Sequence, residues 1–497
     1  MGTGGGIVLA IDQGTTGSTA VVLDSNMSVL GRSNHEFPQI YPKPGWVEHD
    51  PEDIWESVRL STLDALKEAR LQGSDISVIG ITNQRETTLI WDRETSDCIH
   101  NAIVWQCRRT TDRCVELRER GLEELIRTKT GLVVDPYFSG TKAAWILDHV
   151  EGARKRAAAG ELAFGTIDSY LLWRLTGGAV HATEVSNASR TMLMELKNTS
   201  WDPELLEALN VPVSVLPEIR SSSEMYGKTK GLNFLPDGIP IAGIAGDQQA
   251  ALFGQACFDV GQAKCTYGTG AFLLMNTGTR PAESKNGLLT TVAWRLGDGP
   301  TTYALEGSVF IAGAAVQWLR DELRAIDTAA EIEVLARSVS DAGGVTVVSA
   351  FTGLGAPHWN AEARGAIFGL TRGSNRGHIA RAILDGLAHQ VTDVVEAMSI
   401  DAGHELKGLR VDGGAAANDL LMEIQADLLG TEVRRPWVLE TTALGAAFLA
   451  GLAVGIWQDP SEVATRWREQ GQFMPSIGSD QRSTLRRAWK QAIDRLL

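Results

Sequence analysis

A small, hydroxyl-rich turn between two apolar runs constrains the fold of this chain more than any other feature. Residues 7–24 have the sequence IVLAIDQGTTGSTAVVLD, in which an alternating apolar run ends at Asp12 and resumes at Ala20. This pattern predicts two buried strands joined by a tight turn. Glycines let a backbone approach an anion, and exposed N–H groups and hydroxyls can donate to phosphate oxygens. We expect a phosphate-binding hairpin here, with an ordinary glycine turn as the alternative. Its turn consists of Gly14, Thr15, Thr16, Gly17 and Ser18.

The same pattern occurs again at 263–276, AKCTYGTGAFLLMN, and apolar runs at 240–247 and 409–419 also end in small residues and an acid. Further strands are predicted near 79–82 and 88–91, and helices near 52–70, 110–120 and 141–150. Alternating strands and helices are typical of an α/β fold. A chain of 497 residues is too long for one core of usual size. We therefore expect a duplicated α/β architecture, with domains at 1–255 and 256–497 and a cleft between them.

The charge balance argues against two classes of partner. A net charge of −15 disfavours nucleic acid and anionic membranes, which attract clustered basic surfaces. The basic C-terminal segment 482–497 is predicted to be a solvated surface helix. The uncharged run 441–458 is predicted to be a buried helix rather than a membrane span, because it is rich in alanine and glycine and has no aromatic or cationic belt.

Cysteine usage and the first residues favour a cytoplasmic protein. The five cysteines show no CxxC spacing, so neither a disulfide framework nor a zinc site is expected. Reduced thiols are typical of the cytosol. The start MGTGGG lacks the basic and apolar segments of a signal peptide.

Several polar and aromatic residues are candidates for binding a polyol. Arg85 and Glu86 follow a predicted strand, where an arginine can donate to hydroxyl oxygens and a carboxylate can accept hydroxyl protons. A surface salt bridge is the alternative for this pair. Trp105, Tyr137 and Phe272 could form apolar walls, with core packing as the alternative for Trp105 and Phe272.

Two aspartates and a small-residue segment are candidates for the chemistry of phosphoryl transfer. Asp247 follows a strand and begins a helix, so it is a candidate general base, with an ordinary helix N-cap as the alternative. Asp12 could hold a hydrated magnesium ion. The segment 412–418, DGGAAAN, could let a flat adenosine lie close to backbone. The chain contains no Walker motif and no protein-kinase signature, so a nucleotide site must use another scheme.

Together these motifs resemble the FGGY carbohydrate kinases, most closely the members that phosphorylate glycerol. Both family signatures are present, YFSGTKAAWILDH at 137–149 and GAIFGLTRGSNRGHIARAILD at 365–385. Further characteristic strings are YPKPGWVEHD at 41–50, GITNQRETT at 80–88, NAIVWQCRRT at 101–110, GIAGDQQAALFGQ at 243–255 and TYGTGAF at 266–272. The resemblance extends from residue 7 to residue 457.

The resemblance implies two RNase-H-like, actin-like ATPase domains that close on an ATP and substrate cleft. It implies transfer of the γ-phosphoryl group of ATP, with Mg²⁺, to a primary hydroxyl of glycerol, as the first step of glycerol utilisation by a cytoplasmic homodimer or homotetramer. By this resemblance the polyol would be held by Arg85, Glu86, Tyr137, Asp247 and Gln248, with Asp247 as base. The nucleotide would be held by Thr15, Thr16, Thr269, Gly313, Gln317, Gly414 and Asn418, and Asp12 would position the metal through water.

Two departures from the family pattern and two rival functions stay open. Thr19 stands where many members have an arginine, which suggests tighter dependence on magnesium. The segment 226–240 lacks the arginine of members inhibited by fructose 1,6-bisphosphate, so weak or absent inhibition is expected. The rivals are an FGGY kinase for a pentulose, tetritol or longer polyol, and an actin-like or chaperone-like nucleotide switch that hydrolyses ATP without any polyol.

Overall fold

The computed structural model describes residues 6–360 and 362–497. The first half of the chain contains the strands β1 (Ile7–Gln13), β2 (Gly17–Leu23), β3 (Val29–Glu36), β4 (Glu48–His49), β5 (Ile76–Asn83), β6 (Leu89–Asp92), β7 (Ala102–Ile103), β8 (Leu162–Gly165), β9 (Ala182–Glu184), β10 (Met194–Glu195), β11 (Ser200–Trp201), β12 (Glu218–Arg220), β13 (Ser223–Lys228) and β14 (Pro240–Gly246). Its helices are α1 (Pro51–Ala69), α2 (Thr111–Glu119), α3 (Glu123–Thr130), α4 (Ser139–His149), α5 (Ala153–Ala158), α6 (Ile167–Leu175), α7 (Val185–Ala188), α8 (Pro203–Leu209) and α9 (Asp247–Gly254).

The second half contains the strands β15 (Gln262–Tyr267), β16 (Ala271–Gly278), β17 (Leu289–Trp294), β18 (Thr302–Val309), β19 (Thr346–Val348), β20 (Ala366–Phe368), β21 (Gly408–Asp412), β22 (Val433–Pro436) and β23 (Glu469–Phe473). Its helices are α10 (Gly313–Asp321), α11 (Glu331–Ala336), α12 (Arg376–Ala402), α13 (Asp419–Leu429), α14 (Thr441–Ala453), α15 (Pro460–Arg466) and α16 (Ser479–Asp494). Short 3₁₀ helices lie at Gly73–Asp75, Val213–Val215 and Gly414–Ala417.

Two large sheets share a common central arrangement of strands, and the second sheet has one more strand at its edge. The first has the strand order β13-β14-β5-β1-β2-β3, and the second has the order β17-β18-β16-β15-β21-β22-β23. In each sheet a hairpin is extended by a third antiparallel strand, and the first hairpin strand pairs in parallel with a later one, β1 with β5 and β15 with β21. The two predicted hairpins are therefore equivalent elements, which confirms the expected duplicated α/β fold.

Local chemistry explains why α1 begins where the sequence predicts. Pro51 is its first residue, and the side chain of Asp50 accepts a hydrogen bond from the backbone N–H of Glu52. An aspartate N-cap satisfies one of the free N–H groups of the first turn, and proline there removes another. Ile54 and Val58 are fully buried on the face that packs against the first sheet.

Helix α14 is the buried helix predicted from the uncharged run, and it packs on the first sheet although it lies late in the chain. Contact is close because the sheet carries glycines: a Cβ atom on Gly80 would lie 2.3 Å from the carbonyl oxygen of Ala446, and one on Gly243 would lie 2.2 Å from the amide nitrogen of Ala450. In the described part of the chain no helix combines the length and apolarity needed to cross a membrane.

The C-terminal helix α16 is a surface helix, and one side of it packs against the second domain. Trp489 is buried, and its indole N–H donates a 2.8 Å hydrogen bond to Asp393 of α12. Arg486 is also buried, beside the same carboxylate. Helix α16 is therefore docked on the second domain by an aromatic side chain and an ion pair, while most of its residues are exposed, as the predicted surface helix requires.

Candidate active site

Three parallel strands of the first sheet bring the predicted acids and the arginine to one edge. Strand β1 pairs in parallel with β5, so that Asp12 lies opposite Thr82, and β5 pairs in parallel with β14. Arg85 follows β5, and Asp247 begins helix α9 directly after β14. The carboxyl ends of parallel strands are the usual place for ligands in such sheets.

Arg85 is the centre of a buried ion-pair network. Its Nε lies 3.2 Å from Oδ1 of Asp247, and its Nη1 and Nη2 lie 2.5 Å and 3.0 Å from the two carboxylate oxygens of Glu306. The side chain of Arg85 is 2 % exposed and that of Asp247 is 31 % exposed. Asp247 is therefore accessible to a ligand, whereas Arg85 is buried and held in place by Glu306.

Glu86 belongs to the same network. Its carboxylate accepts a 2.7 Å hydrogen bond from Nε of Arg190, and its backbone has a φ of 61°. Residues with positive φ other than glycine are uncommon and concentrate at functional sites. The backbone carbonyl of Glu86 accepts hydrogen bonds from the hydroxyls of Thr88 and Ser139, which hold this conformation. Because both Arg85 and Glu86 are buried, the alternative of a surface salt bridge is wrong.

Aromatic side chains line the approach to these charges. The rings of Trp105 and Tyr137 are 5.5 Å apart in an edge-to-face arrangement, and the phenol oxygen of Tyr137 accepts a 3.4 Å hydrogen bond from Nη2 of Arg85. Phe272 lies on β16 of the second sheet. All three side chains are only partly buried, which leaves surface available for a ligand.

Asp247 and Gln248 form the start of helix α9. Gly246 is the N-cap, so Asp247 is the first helical residue and the alternative of an ordinary N-cap aspartate is wrong. Its Oδ1 accepts a 2.6 Å hydrogen bond from the backbone N–H of Gln248. The side-chain oxygen of Gln248 accepts from Nζ of Lys264, which also donates a 2.9 Å bond to Thr266. Burial lowers the pKa of Lys264.

Asp12 has the character of a cation ligand. Burial, followed by the negative charge of Asp247, raises the pKa of Asp12 to about 7, and Arg32 opposes this shift. Within residues 6–360 and 362–497 the Asp12 carboxylate has no hydrogen bond or ion pair, and no group of three or more His, Cys, Asp and Glu side chains could hold a metal. A single carboxylate suits Mg²⁺, which keeps several waters and is otherwise bound by phosphates. The residues present therefore fit a hydrated magnesium ion.

Five of the residues expected to hold nucleotide line one cavity. This cavity in the second domain has a volume of about 360 Å³, and its walls include Thr269, Gly313, Gln317, Gly414 and Asn418. Its size is within the range of small-molecule sites. The remaining three, Thr15, Thr16 and Gly17, lie in the first hairpin, whose turn is closed by a 2.9 Å bond from the N–H of Gly14 to the carbonyl of Gly17.

The second hairpin is built against helix α10. The N–H of Ala312 donates a 2.8 Å bond to the carbonyl of Thr269, and a Cβ atom on Gly313 would lie 2.6 Å from the carbonyl oxygen of Gly268. Glycine at 313 is therefore required by the close approach of helix and turn.

In the first hairpin, Thr19 accepts a 2.9 Å hydrogen bond from Asn34. The effect of Thr19 on magnesium dependence stays a prediction.

Sequence reasoning missed Arg190, Glu306 and Lys264, all of which are buried. A weak signal exists for Glu306, because it occupies the otherwise largely apolar strand TYALEGSV. A charged residue in such a strand is rarely buried unless it is paired. The partners of Glu306 and Arg190 lie more than 100 residues away in sequence, so spacing alone could not identify these two residues.

Models of one protein family match both halves of this chain, in agreement with the two related sheets and the site between them. The model of the N-terminal domain of the FGGY family of carbohydrate kinases matches residues 7–254, and the model of the C-terminal domain matches residues 263–454. The chain therefore belongs to the FGGY family of carbohydrate kinases, and the predicted class of enzyme is confirmed.

Two curated relatives and one solved structure show which members of the family this chain is similar to. The glycerol kinase of Alkaliphilus metalliredigens is 57% identical over 490 residues, covering 99% of this chain and 98% of that protein. Glycerol kinase 2 of Thermotoga maritima is likewise 57% identical over 490 residues, covering 99% and 98%. The crystal structure of Plasmodium falciparum glycerol kinase with ADP has a TM-score of 0.94 and 37% identity, covering 99% of this chain and 98% of that one. The predicted fold of two RNase-H-like domains is thereby confirmed.

Proposed function

We propose that this chain transfers the γ-phosphoryl group of ATP to a primary hydroxyl of glycerol, giving sn-glycerol 3-phosphate and ADP. The observation that carries the proposal is the juxtaposition of the accessible Asp247 carboxylate with the buried Arg85 guanidinium, 3.2 Å apart beside the Trp105–Tyr137 pair. The relatives named glycerol kinase, at 57% identity over nearly the whole chain, support glycerol as the substrate.

The polyol would be bound by complementary polar groups between aromatic walls. Arg85 donates to hydroxyl oxygens, and Glu86 accepts hydroxyl protons. Tyr137 and Gln248 offer one further polar group each. Trp105 and Phe272 cover the C–H faces of the short chain, which suits a substrate with hydroxyls on every carbon.

Asp247 would act as general base. Its carboxylate takes the proton of the attacking hydroxyl, the hydroxyl oxygen bonds to the γ-phosphorus, and the bond from the γ-phosphorus to the bridging oxygen breaks so that ADP leaves. A carboxylate is a weak base, but the transition state of phosphoryl transfer is loose and depends mainly on positioning and charge neutralisation.

The nucleotide would lie between the two hairpins. The cavity that contains Thr269, Gly313, Gln317, Gly414 and Asn418 would take the adenosine and its first phosphates. Thr15, Thr16 and Gly17 would contact the γ-phosphate from the opposite sheet. A magnesium ion positioned by Asp12 through water would neutralise charge on the phosphates.

Domain organisation, cellular role and assembly are also part of the proposal. We propose a domain boundary at 255/256, with one hairpin in each domain, and closure of the domains to keep water from the γ-phosphate. The reaction would be the first step of glycerol utilisation in the cytoplasm, carried out by a homodimer or homotetramer.

Coupled measurement of ADP release with magnesium-ATP tests the function directly. The substrate panel is glycerol, dihydroxyacetone, erythritol, D-xylulose and D-ribulose, with a control lacking any polyol. The proposal predicts strong preference for glycerol. Turnover only with a longer polyol would be consistent with the fold but would show that the substrate is not glycerol. ATP hydrolysis that does not depend on a polyol would favour a nucleotide switch.

A further inference from the structure

Glu306 lies on a different sheet from the arginine that it holds. Strand β18 belongs to the second sheet, whereas Arg85 follows β5 of the first sheet. The carboxylate of Glu306 accepts hydrogen bonds from both Nη1 and Nη2 of Arg85, at 2.5 Å and 3.0 Å, in a two-pronged fork. Such a fork fixes the plane of a guanidinium as well as its position. The orientation of Arg85 therefore depends on the second domain.

Arg190 joins this carboxylate to the other predicted polyol ligand. Its Nη2 donates a 3.1 Å bond to Glu306, and its Nε donates a 2.7 Å bond to Glu86. Its guanidinium carbon also lies 5.5 Å from the centroid of the Tyr137 ring. Arg190 thus contacts Glu86, Tyr137 and Glu306 from a position with no exposed side-chain surface.

Pairing of opposite charges explains why two arginines and two glutamates can be buried together. Arg85 and Arg190 supply two positive charges opposite the carboxyl groups of Glu86 and Glu306, although burial raises the pKa of Glu86. Burial alone would raise the pKa of Glu306, but Arg190 and Arg85 outweigh it and lower that pKa to about 2. Removing one member of such a network leaves an uncompensated buried charge.

The same face of the second sheet carries a predicted substrate wall. In the pairing of β16 with β18, Leu274 lies opposite Glu306 and Phe272 lies opposite Ser308. Alternate residues of a strand face the same side, so Phe272 and Glu306 share one face. The second sheet therefore supplies both an aromatic wall and the carboxylate that orients Arg85.

We propose that Glu306 is a positioning residue for the polyol site, which it completes from the second domain by fixing the Arg85 guanidinium with Nε toward Asp247. Arg190 supports it by holding Glu86 and Glu306 at a constant separation. This inference rests on the proposed function, because it concerns the binding of that substrate.

The test compares Glu306→Gln with the parent enzyme and with Glu405→Gln, a control at an exposed loop glutamate. Glutamine has the size of glutamate but cannot accept from both guanidinium nitrogens. We expect KM for glycerol to rise at least tenfold in Glu306→Gln, while KM for ATP stays within twofold and Glu405→Gln matches the parent. Glu306→Asp keeps the charge and is expected to recover part of the affinity.

If Glu306 were needed only for stability of the fold, its substitution would not raise KM for glycerol while leaving KM for ATP unchanged. An unchanged KM for glycerol, or a parallel change in both constants, would overturn the inference. If Glu306→Gln does not fold, Arg190→Lys is measured in its place. We again expect KM for glycerol to rise while KM for ATP stays within twofold, and an unchanged KM for glycerol or a parallel change in both would overturn the inference. If the parent phosphorylates a different polyol, the proposed substrate is wrong, and the inference is tested with the polyol that the parent uses. If no polyol is phosphorylated, both fail.

Discussion

The indole N–H of Trp105 donates a 2.9 Å hydrogen bond to Oγ1 of Thr15, which links the aromatic wall of the polyol site to the first phosphate hairpin. Because Thr15 is proposed to contact the nucleotide, this bond couples the two halves of the substrate site. It spans 90 residues of sequence and is partly buried.

Trp105→Phe tests this coupling, since phenylalanine keeps an apolar wall and lacks the N–H donor. A hydrogen bond of this kind contributes about 0.5–1.5 kcal/mol. We expect KM for ATP to rise by about two- to tenfold, with a smaller change in KM for glycerol. Steady-state kinetics with each substrate varied in turn measures both, and an unchanged KM for ATP would show that the bond does not affect the nucleotide.

Gly414→Ala tests whether nucleotide lies over the small-residue segment after β21. A Cβ atom at Gly414 meets nothing within 4 Å in the protein, whereas one at Gly413 would lie 2.5 Å from the carbonyl oxygen of Tyr267. We therefore expect Gly414→Ala to leave the melting temperature unchanged and to raise KM for ATP several-fold. Gly413→Ala is the contrasting variant, and it should lower the melting temperature. Normal ATP affinity in Gly414→Ala would place the nucleotide elsewhere.

His389 should make the protein less stable in mild acid. Its ring stacks on Trp489, and its Nδ1 accepts a 3.0 Å hydrogen bond from Arg486. Burial and the positive charge of Arg486 lower the pKa of His389 from 6.5 to about 3. Below pH 6.5 the unfolded chain binds a proton that the folded chain does not, so stability is lost as pH falls from about 6.5 toward 3.

The variant His389→Gln isolates this contribution. Between pH 7 and pH 5 the parent should lose about 2 kcal/mol more unfolding free energy than His389→Gln. Denaturant titrations at both pH values measure the difference, and His404→Gln is the control at an exposed histidine. Equal losses in the parent and His389→Gln would show that His389 does not carry the effect.

Inhibition by fructose 1,6-bisphosphate is expected to be weak or absent. The segment 226–240, which joins β13 to β14, contains no arginine to bind a sugar phosphate. Glycerol phosphorylation should therefore stay unchanged when this compound is added at millimolar concentration. Inhibition at micromolar concentration would contradict the expectation.

Local signals made much of the fold predictable. The two hairpins follow from apolar alternation around glycine turns, and α1 follows from Asp50 and Pro51. The buried position of α14 follows from its composition. What sequence could not show is that α14 packs on the first sheet, since that depends on the space left beside Gly80 and Gly243.

The candidate site was predictable only in part for a similar reason. Arg85, Glu86 and Asp247 follow strands, and the carboxyl ends of parallel strands meet at one edge of a sheet. The partner of Arg85 is 221 residues away in sequence, at Glu306. A buried ion pair leaves no periodic pattern, so only the folded chain identifies Glu306 and Arg190 as part of the site.

The rate of glycerol-dependent ADP formation by Asp247→Asn tests the proposed general base most directly. Asparagine keeps the size of the side chain and an oxygen that can accept from Gln248, but it cannot take a proton from the attacking hydroxyl. We expect kcat to fall by about 10²–10⁴-fold, while glycerol still binds and the exposed control Asp298→Asn keeps the parent rate. A kcat within tenfold of the parent would contradict the role of Asp247 as general base.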